Sequence, residues 1–139
     1  MQGVREALAG RFRRQPFMPA SSEGLPTVAE LLDVDREYRE RATAGTLRRI
    51  APQRFNPTGD AWLPVLHTRR GATEYTALYS NTARAHELGT TRDWVVIYRD
   101  DGDGSGQWTV VTESTGELRG KRVVRGREVE TTRYYADQA

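Results

Sequence analysis

The strongest constraint on the fold is segment 93–99, DWVVIYR, because five consecutive residues within it are apolar or aromatic. A run of this kind, without polar alternation, predicts a strand that is buried on both faces and therefore lies in the middle of a sheet. Segments 61–68 and 73–80 precede it and are joined by RRGA, which is typical of a hairpin connection. Residues 61–98 are therefore predicted to form the core of a small α+β domain.

Proline limits the positions that two other strands can take in the sheet. Pro52 excludes a central strand from segment 47–55, which is predicted to be an edge strand or an extended arm. Pro64 favours an edge or a bulge for the strand that contains it. The run QWTVVTE and the more polar segment 121–132 complete a mostly antiparallel, strongly twisted or barrel-like sheet of about five strands.

Short helices are predicted at the N-terminal side of the sheet and within it. Thr27 and Glu30 have the spacing of a capping box, in which each side chain bonds the backbone of the other. Segment 33–35 is expected to interrupt this helix, and a second helix is expected to end near Arg41. The sequence NTARAHELG predicts one inserted two-turn helix. The closing pair Tyr134-Tyr135 is expected to fold back onto the sheet.

The chain divides into three predicted regions. Residues 1–15 carry apolar side chains at a spacing of four, which indicates a helix that needs an apolar partner. Residues 16–26 are rich in proline, serine and glycine and are predicted to be a linker. Residues 27–135 form the α+β domain.

The composition excludes some classes of protein and leaves others open. None of the 139 residues is cysteine, which excludes disulfides and thiolate zinc sites and favours a cytoplasmic protein. No apolar run approaches the ~20 residues of a membrane-spanning helix, so no membrane partner is expected. The net charge is only +2, but every basic side chain except Lys121 is arginine. Arginine suits phosphate, although a genomic bias or a salt-bridged surface gives the same pattern.

Basic clusters with interleaved aromatic residues are the main candidates for a binding function. Such a composition combines phosphate contacts with base stacking. The candidate nucleic-acid-binding residues are Arg11, Arg13, Arg14, Arg48, Arg49, Arg69, Arg70, Arg84, Arg92, Lys121, Arg122 and Arg125. A helix N-terminus predicted after the second hairpin strand also suggests an anion site at Ser80, Asn81 and Thr82.

Patterns for catalysis and metal binding are weak. The loop DGDGSG imitates the first half of a calcium-binding EF-hand loop, but Thr112 occupies the position that requires glutamate. His67 and His86 lack the spacing of a zinc motif. A magnesium site would require three carboxylates to converge: Asp60, Glu74 and Asp93. We therefore predict no catalytic residue, no metal ion and no cofactor.

A resemblance to a known family lies in five runs: LPTVAELLDVDREYR, IAPQRFNPTGDAWLPVLHT, YTALYSNTARAHELG, TRDWVVIY and TVVTE. Together they fall within residues 25–128, which resemble the C-terminal region of bacterial helix-hairpin-helix proteins akin to the DNA-binding part of family X DNA polymerases. In this comparison GVREALAGRFRR resembles the last helix of the hairpin array. The hairpin turns that bind DNA in such proteins have no counterpart here, so no residue role can be transferred.

The resemblance implies an accessory domain of a DNA-binding, repair-related protein that contacts phosphates through arginines. Its partner would be DNA, single-stranded or duplex, and other protein chains are further candidates. An alternative is a protein-interaction or small-ligand module without catalysis, which predicts an apolar concave patch on the sheet. A metal-dependent nuclease or phosphoesterase is a third interpretation, and it predicts that the three carboxylates above lie close together.

Overall fold

The computed structural model describes residues 25–99 and 106–138. The helix predicted within 1–15, most of the linker and nearly all of the DGDGSG loop lie outside these ranges. Within the described ranges the chain forms three helices and six strands, in the order α1 Val28–Ala44, β1 Arg48–Ile50, β2 Leu63–Arg70, β3 Thr73–Tyr79, α2 Ala83–Leu88, β4 Val95–Arg99, β5 Gly106–Thr112, β6 Arg122–Val124 and α3 Glu128–Ala136.

The six strands form one antiparallel sheet in which each strand pairs with the next one along the chain. The α+β prediction is confirmed, and β4 is an inner strand as its apolar run predicts. Two details are wrong: the sheet has six strands rather than about five, and it is open rather than barrel-like. β1 and β6 each span three residues and lie at opposite edges, so no pairing closes the sheet.

Proline in a strand has two different outcomes in this sheet. The strand in segment 47–55 is β1, which is an edge strand as predicted, and it ends two residues before Pro52. Pro64 lies in β2, an inner strand, so the edge position, one of the two predicted alternatives, is wrong. The register pairs Pro64 with Arg49 of β1, and the pairing with β3 begins only at Val65. β1 is so short that it pairs only with the first three residues of β2, and the Pro64 carbonyl accepts a 2.7 Å bond from the Tyr38 hydroxyl.

Helix α1 runs unbroken for 17 residues, so the predicted interruption at 33–35 is wrong. The reason is tertiary: Asp35 is fully buried, and Arg39 and Arg122 neutralise its carboxylate. Thr27 caps the helix as predicted, because its hydroxyl accepts the Glu30 amide at 3.0 Å. The Glu30 carboxylate accepts a hydrogen bond from the Tyr75 hydroxyl instead of completing a capping box.

The predicted last strand over 121–132 is also wrong. β6 covers only Arg122–Val124, and the chain turns at Gly126, where φ is +85°, before α3 begins. Tyr134 and Tyr135 still pack back against the core as predicted, but they do so from a helix. The Tyr135 hydroxyl donates to the Arg122 carbonyl at 2.8 Å and ties α3 to the last strand.

The two long helices lie against one face of the sheet. One row across the covered face consists of four residues that lie opposite one another in the strand register: Leu66, Ala77, Ile97 and Trp108. The first three belong to the apolar core beneath α1, and Trp108 packs against that core. Because side chains alternate along a strand, residues at the intervening positions point to the other face. None of the helices in the described ranges is long and apolar enough to cross a bilayer.

Candidate functional site

One row of side chains crosses the open face of the sheet, the face opposite α1, and both its ends are arginine. The register from β1 to β5 sets Arg48, Val65, Leu78, Val96 and Thr109 side by side. The Arg125 amide then donates to the Thr109 carbonyl at 2.9 Å, which extends the row past β6. We call these six residues the open-face row. Arg48 and Arg125 are both exposed.

A second row on this face is polar and contains an exposed aromatic ring. His67 and Thr76 are paired across β2 and β3, and a 3.0 Å hydrogen bond joins Nδ1 of His67 to Oγ1 of Thr76. Tyr98 and Gln107 continue the row on β4 and β5. Tyr98 is 40% exposed, so this inner strand presents a large aromatic residue to solvent on the open face.

A cavity of about 340 Å³ opens beside Arg125 on the open face. Its apolar wall consists of Trp94, Val96 and Val111, and no carboxylate lies among the lining residues that fall within 25–99 and 106–138. The polar groups of the lining are an amide, three hydroxyls and a guanidinium, supplied by Gln107, Ser80, Thr82, Thr109 and Arg125. The cavity therefore combines apolar surface, neutral hydrogen-bonding groups and one positive charge.

The predicted anion site is divided between this cavity and the surrounding structure. Ser80 and Thr82 line the cavity, and their hydroxyl oxygens lie 3.3 Å apart. Thr82 also accepts the Ala85 amide at 3.1 Å, which caps the short helix α2. Asn81 has a different role: its side-chain amide donates to the Arg54 carbonyl at 3.0 Å, and its Oδ1 lies 2.7 Å from His86 Nε2.

Phe55 lies beside this junction in a strained backbone conformation. Its φ is +54°, and it is the only non-glycine residue with positive φ in the described part of the chain. The ring lies 4.8 Å from the His86 ring, and the Arg54 guanidinium lies over it at 5.2 Å. A left-handed conformation costs roughly 1–2 kcal/mol for an L-residue, so these ring contacts help to hold Phe55 where it is.

Two of the predicted phosphate-binding arginines are part of the covered face instead. Arg70 is 22% exposed and bonds Asp33 and Glu37 at 2.9 Å each. Arg122 is 13% exposed and lies 2.8 Å from Asp35 and 2.9 Å from Asp93. Because their charges are already matched by carboxylates, these two guanidinium groups stabilise the contact between α1 and the sheet.

Contacts on the covered face change the pKa values of two carboxyl groups and of one tyrosine hydroxyl. The hydrogen bond from Arg36 lowers the pKa of Asp33, and bonds from Arg70 lower it further. For Glu37, burial alone would raise the pKa, but hydrogen bonds, above all from Arg70, outweigh burial and lower it. Burial raises the pKa of the Tyr75 hydroxyl, and its bond to the Glu30 carboxylate raises it further.

The remaining predicted cations have mixed environments. Arg69 and Arg84 form surface ion pairs with Glu74 and Glu87. Arg92 lies over the Trp62 ring at 5.8 Å, and the Lys121 ammonium lies over the Tyr135 ring at 5.0 Å. Among the described residues no carboxylate lies within ion-pair distance of five members of the predicted set: Arg48, Arg49, Arg92, Lys121 and Arg125. Arg11, Arg13 and Arg14 lie outside the described ranges.

The predicted cations therefore do not gather on one face. Arg48, Arg69 and Arg125 project from the open face, and Arg49, one residue from Arg48, points to the covered side near the end of α1. Any phosphate contact by the described residues must accordingly use a few separated charges rather than a continuous basic groove.

No group of three histidine, aspartate or glutamate side chains that could hold a metal ion occurs in the described ranges. Asp93 instead accepts bonds from Arg122 and from the amide and hydroxyl of Thr112. Asp60 accepts the Thr58 hydroxyl at 2.7 Å, and Glu74 pairs with Arg69. These contacts give the three carboxylates of the nuclease interpretation separate structural partners.

Sequence reasoning did not identify the cavity wall. The alternation in QWTVVTE assigns Thr109 and Val111 to one face, but it does not show which face the helices leave open. Trp94 appeared only as part of a buried strand, although it lies just before β4 and lines the cavity. The position of Arg125 next to Thr109 could not be read from sequence, because it depends on where β6 ends.

Comparisons of the chain with protein-family models, with curated proteins and with solved structures found no match. The resemblance to helix-hairpin-helix proteins therefore stays a prediction from sequence. The geometry of the open face is the main basis for inferring a function.

Proposed function

We propose that this domain is an accessory module of a DNA-binding, repair-related protein and that it contacts single-stranded DNA through the open face of its sheet. The observation that carries the proposal is the open-face row, which has an exposed arginine at each end. Between them lie two half-buried apolar side chains, Val65 and Leu78, and the buried Val96. The sequence resemblance to helix-hairpin-helix proteins supports the DNA-binding and repair context.

The open-face row suits one strand of nucleic acid. Its six members lie on neighbouring strands spaced about 4.8 Å apart, so the two guanidinium-bearing ends are separated by roughly 24 Å along the sheet. Single-stranded DNA can lay unpaired bases on an apolar or aromatic surface while its phosphates reach cations. Tyr98, adjacent to the row and exposed, offers a ring for such stacking.

A duplex is a poorer match for the same surface. Duplex binding draws its affinity from many neutralised phosphates, and each contact releases counterions. Arg48 and Arg125 are too few and too far apart to follow both backbones of a duplex. Arg70 and Arg122 are unavailable, because withdrawing either guanidinium would break two ion pairs with carboxylates of the covered face.

The test is fluorescence anisotropy with a labelled single-stranded oligonucleotide and the matching duplex, each titrated at several salt concentrations. Contacts to two or three phosphates give a logarithmic salt slope of about −1.4 to −2.1 for a single strand, or roughly tenfold weaker binding between about 50 and about 200 mM salt. We expect the single strand to bind more tightly than the duplex. A flat salt response, or equal affinity for both, would contradict the proposal.

A matched pair of double variants assigns the binding to a face. Arg48→Gln with Arg125→Gln removes both ends of the open-face row and should weaken oligonucleotide binding by about tenfold or more, since hydrogen bonds to charged groups contribute about 1.5–3 kcal/mol each. Arg36→Gln with Arg133→Gln removes two exposed charges from α1 and α3 instead. Equal losses in the two double variants would show that only net charge matters and would refute a specific role of the open face.

A small-ligand module without catalysis is the second candidate, and the cavity favours it. A volume of about 340 Å³ lies at the lower end of the range found for small-molecule sites. This candidate predicts that the protein binds a small anionic compound and that oligonucleotides do not bind even at low salt. The oligonucleotide titration therefore separates the two functions.

A further inference from the structure

We infer that the cavity beside Arg125 is a subsite for one unpaired nucleotide, with the base against its apolar wall and the phosphate on the guanidinium. The inference rests on the proposed function, because it names what one part of the open face would hold. It also makes a claim of its own, since a free mononucleotide should bind there without any polymer.

The lining has the chemistry that a nucleotide requires. Trp94, Val96 and Val111 offer an aromatic ring and two branched side chains to the faces of a planar base. Arg125 supplies a guanidinium, which matches the geometry of a phosphate with two parallel hydrogen bonds. None of the lining residues in the described ranges is a carboxylate, so none of them neutralises the Arg125 guanidinium.

The hydrogen-bonding groups of the cavity can adapt to the edge of any base. Hydroxyl groups and a primary amide both donate and accept, and Ser80, Thr109 and Gln107 bring three such groups to the lining. Thr82 Oγ1 accepts the Ala85 amide and shares a hydrogen bond with Ser80 Oγ, so one proton of this hydroxyl pair remains available for donation. We therefore expect modest selectivity among the four bases rather than recognition of one.

The location of the cavity connects it to the rest of the face. Three of its lining residues, Val96, Thr109 and Arg125, are also members of the open-face row. A strand that follows the row from Arg48 would therefore reach the cavity at its far end. At about 340 Å³ the cavity is near the lower limit for small-molecule sites, which favours one nucleotide unit over two.

The test uses deoxyadenosine monophosphate as the probe and two-dimensional ¹H–¹⁵N NMR of the full chain as the readout. The indole N–H of Trp94 should shift on titration, together with the amides of Thr109 and Val111. The indole signals of Trp62 and Trp108 serve as internal controls, because neither residue lines the cavity. No saturable shift at Trp94 up to about 10 mM nucleotide, where even a millimolar complex would be mostly formed, would overturn the inference.

Two further probes separate the parts of the ligand. Deoxyadenosine lacks the phosphate and should bind at least about tenfold more weakly if Arg125 holds that group. Inorganic phosphate lacks the base and should fail to shift the Trp94 indole signal. Equal binding of deoxyadenosine and its monophosphate, or saturation by phosphate alone, would contradict a nucleotide subsite.

Three variants keep this inference distinct from the proposed function. Arg125→Gln and the cavity-filling Thr109→Trp should both abolish mononucleotide binding, and Arg48→Gln should leave it unchanged while it weakens oligonucleotide binding. The NMR spectrum of each variant shows whether the fold is intact. If oligonucleotides bind in a salt-dependent manner and the mononucleotide does not, the subsite is refuted and the proposed function stands. If Thr109→Trp is folded and still binds the mononucleotide, the subsite lies elsewhere.

Discussion

Arginine side chains have different roles on the two faces of this sheet. On the covered face, Arg122 lies almost fully buried between Asp35 and Asp93 and holds α1 against the sheet. On the open face, Arg125 is exposed, and no described carboxylate lies within ion-pair distance of it. Only two residues lie between them in the sequence. A basic run in the sequence is therefore not a basic patch, because strand alternation and the end of β6 direct its members to different environments.

The largest effect is expected for Arg122→Ala on the covered face. The substitution removes the bidentate partner of a fully buried carboxylate and leaves Asp35 with Arg39 alone. Breaking a buried ion pair from one side costs about 3–5 kcal/mol, because one charge then remains without compensation. Chemical denaturation followed by circular dichroism measures the loss in the free energy of unfolding.

Two controls sharpen this prediction. Arg125→Ala changes the same residue type on the open face and should alter the free energy of unfolding by no more than about 0.5 kcal/mol. Arg122→Met combined with Asp35→Leu should cost less than Arg122→Ala alone, because the unpaired carboxylate is gone. If Arg122→Ala and Arg125→Ala had similar effects, the contrast between the two faces would be wrong.

The next effect concerns a tyrosine on each face. The Tyr38 hydroxyl is buried in the core, donates to the Pro64 carbonyl at 2.7 Å and accepts the Tyr79 amide at 2.9 Å. Tyr38→Phe leaves both backbone groups unsatisfied and should lower the free energy of unfolding by about 1–3 kcal/mol. Tyr98→Phe on the open face is the matched control and should have no measurable effect on stability. A null result for Tyr38→Phe would mean that water replaces the hydroxyl.

Much of the sheet could be predicted from the sequence because its signals are local. The apolar run in 94–98 gives the inner position of β4, the RRGA turn gives the β2–β3 hairpin, and Thr27 gives the start of α1. The errors occur where a distant residue changes the local preference. Asp35 has a weak helix preference on its own. It is a buried helical residue because it pairs with Arg39 on the same helix and with Arg122, which is distant in the sequence.

Less of the candidate site could be predicted, for the same reason. Ser80, Thr82 and Arg125 were among the predicted binding residues, but nothing in the sequence indicates that they line one cavity. Their convergence depends on the β4–β5 register and on the short length of β6. Arg70 and Arg122 look like the other arginines in sequence, and their engagement with carboxylates follows only from the placement of α1.

A smaller effect should separate two adjacent arginines. Arg70 points to the covered face and bonds Asp33 and Glu37, and Arg69 points to the open face and pairs with Glu74. Arg70→Ala should lower the free energy of unfolding by roughly 1–2 kcal/mol, whereas Arg69→Ala, which breaks an exposed pair, should cost less than about 1 kcal/mol. Urea titration of both variants provides the measurement. A larger loss for Arg69→Ala would reverse the assignment of the two faces.

The smallest effect expected is a loss of stability in acid that originates on the covered face. The pKa values of Asp33 and Glu37 are lowered in the folded protein, so these groups keep their charge at a pH where the unfolded chain has already taken up protons. The stabilisation that these two carboxylates provide is therefore fully present at a pH above their ordinary pKa range. It is lost as the pH falls from about 5 through the lowered pKa values. Solvent screening limits the size of the change, because both groups are partly exposed.

Arg70→Ala provides the decisive comparison for this acid effect, because the guanidinium of Arg70 contributes to both lowered pKa values. The variant should be less stable than the parent at neutral pH, and the difference between them should shrink as the pH falls below about 4, where the carboxylates lose their charge in both proteins. Denaturation curves at a series of pH values measure that difference directly. A constant difference across the series would mean that Arg70 stabilises α1 through packing of its side chain and that the charges of the covered face contribute nothing measurable.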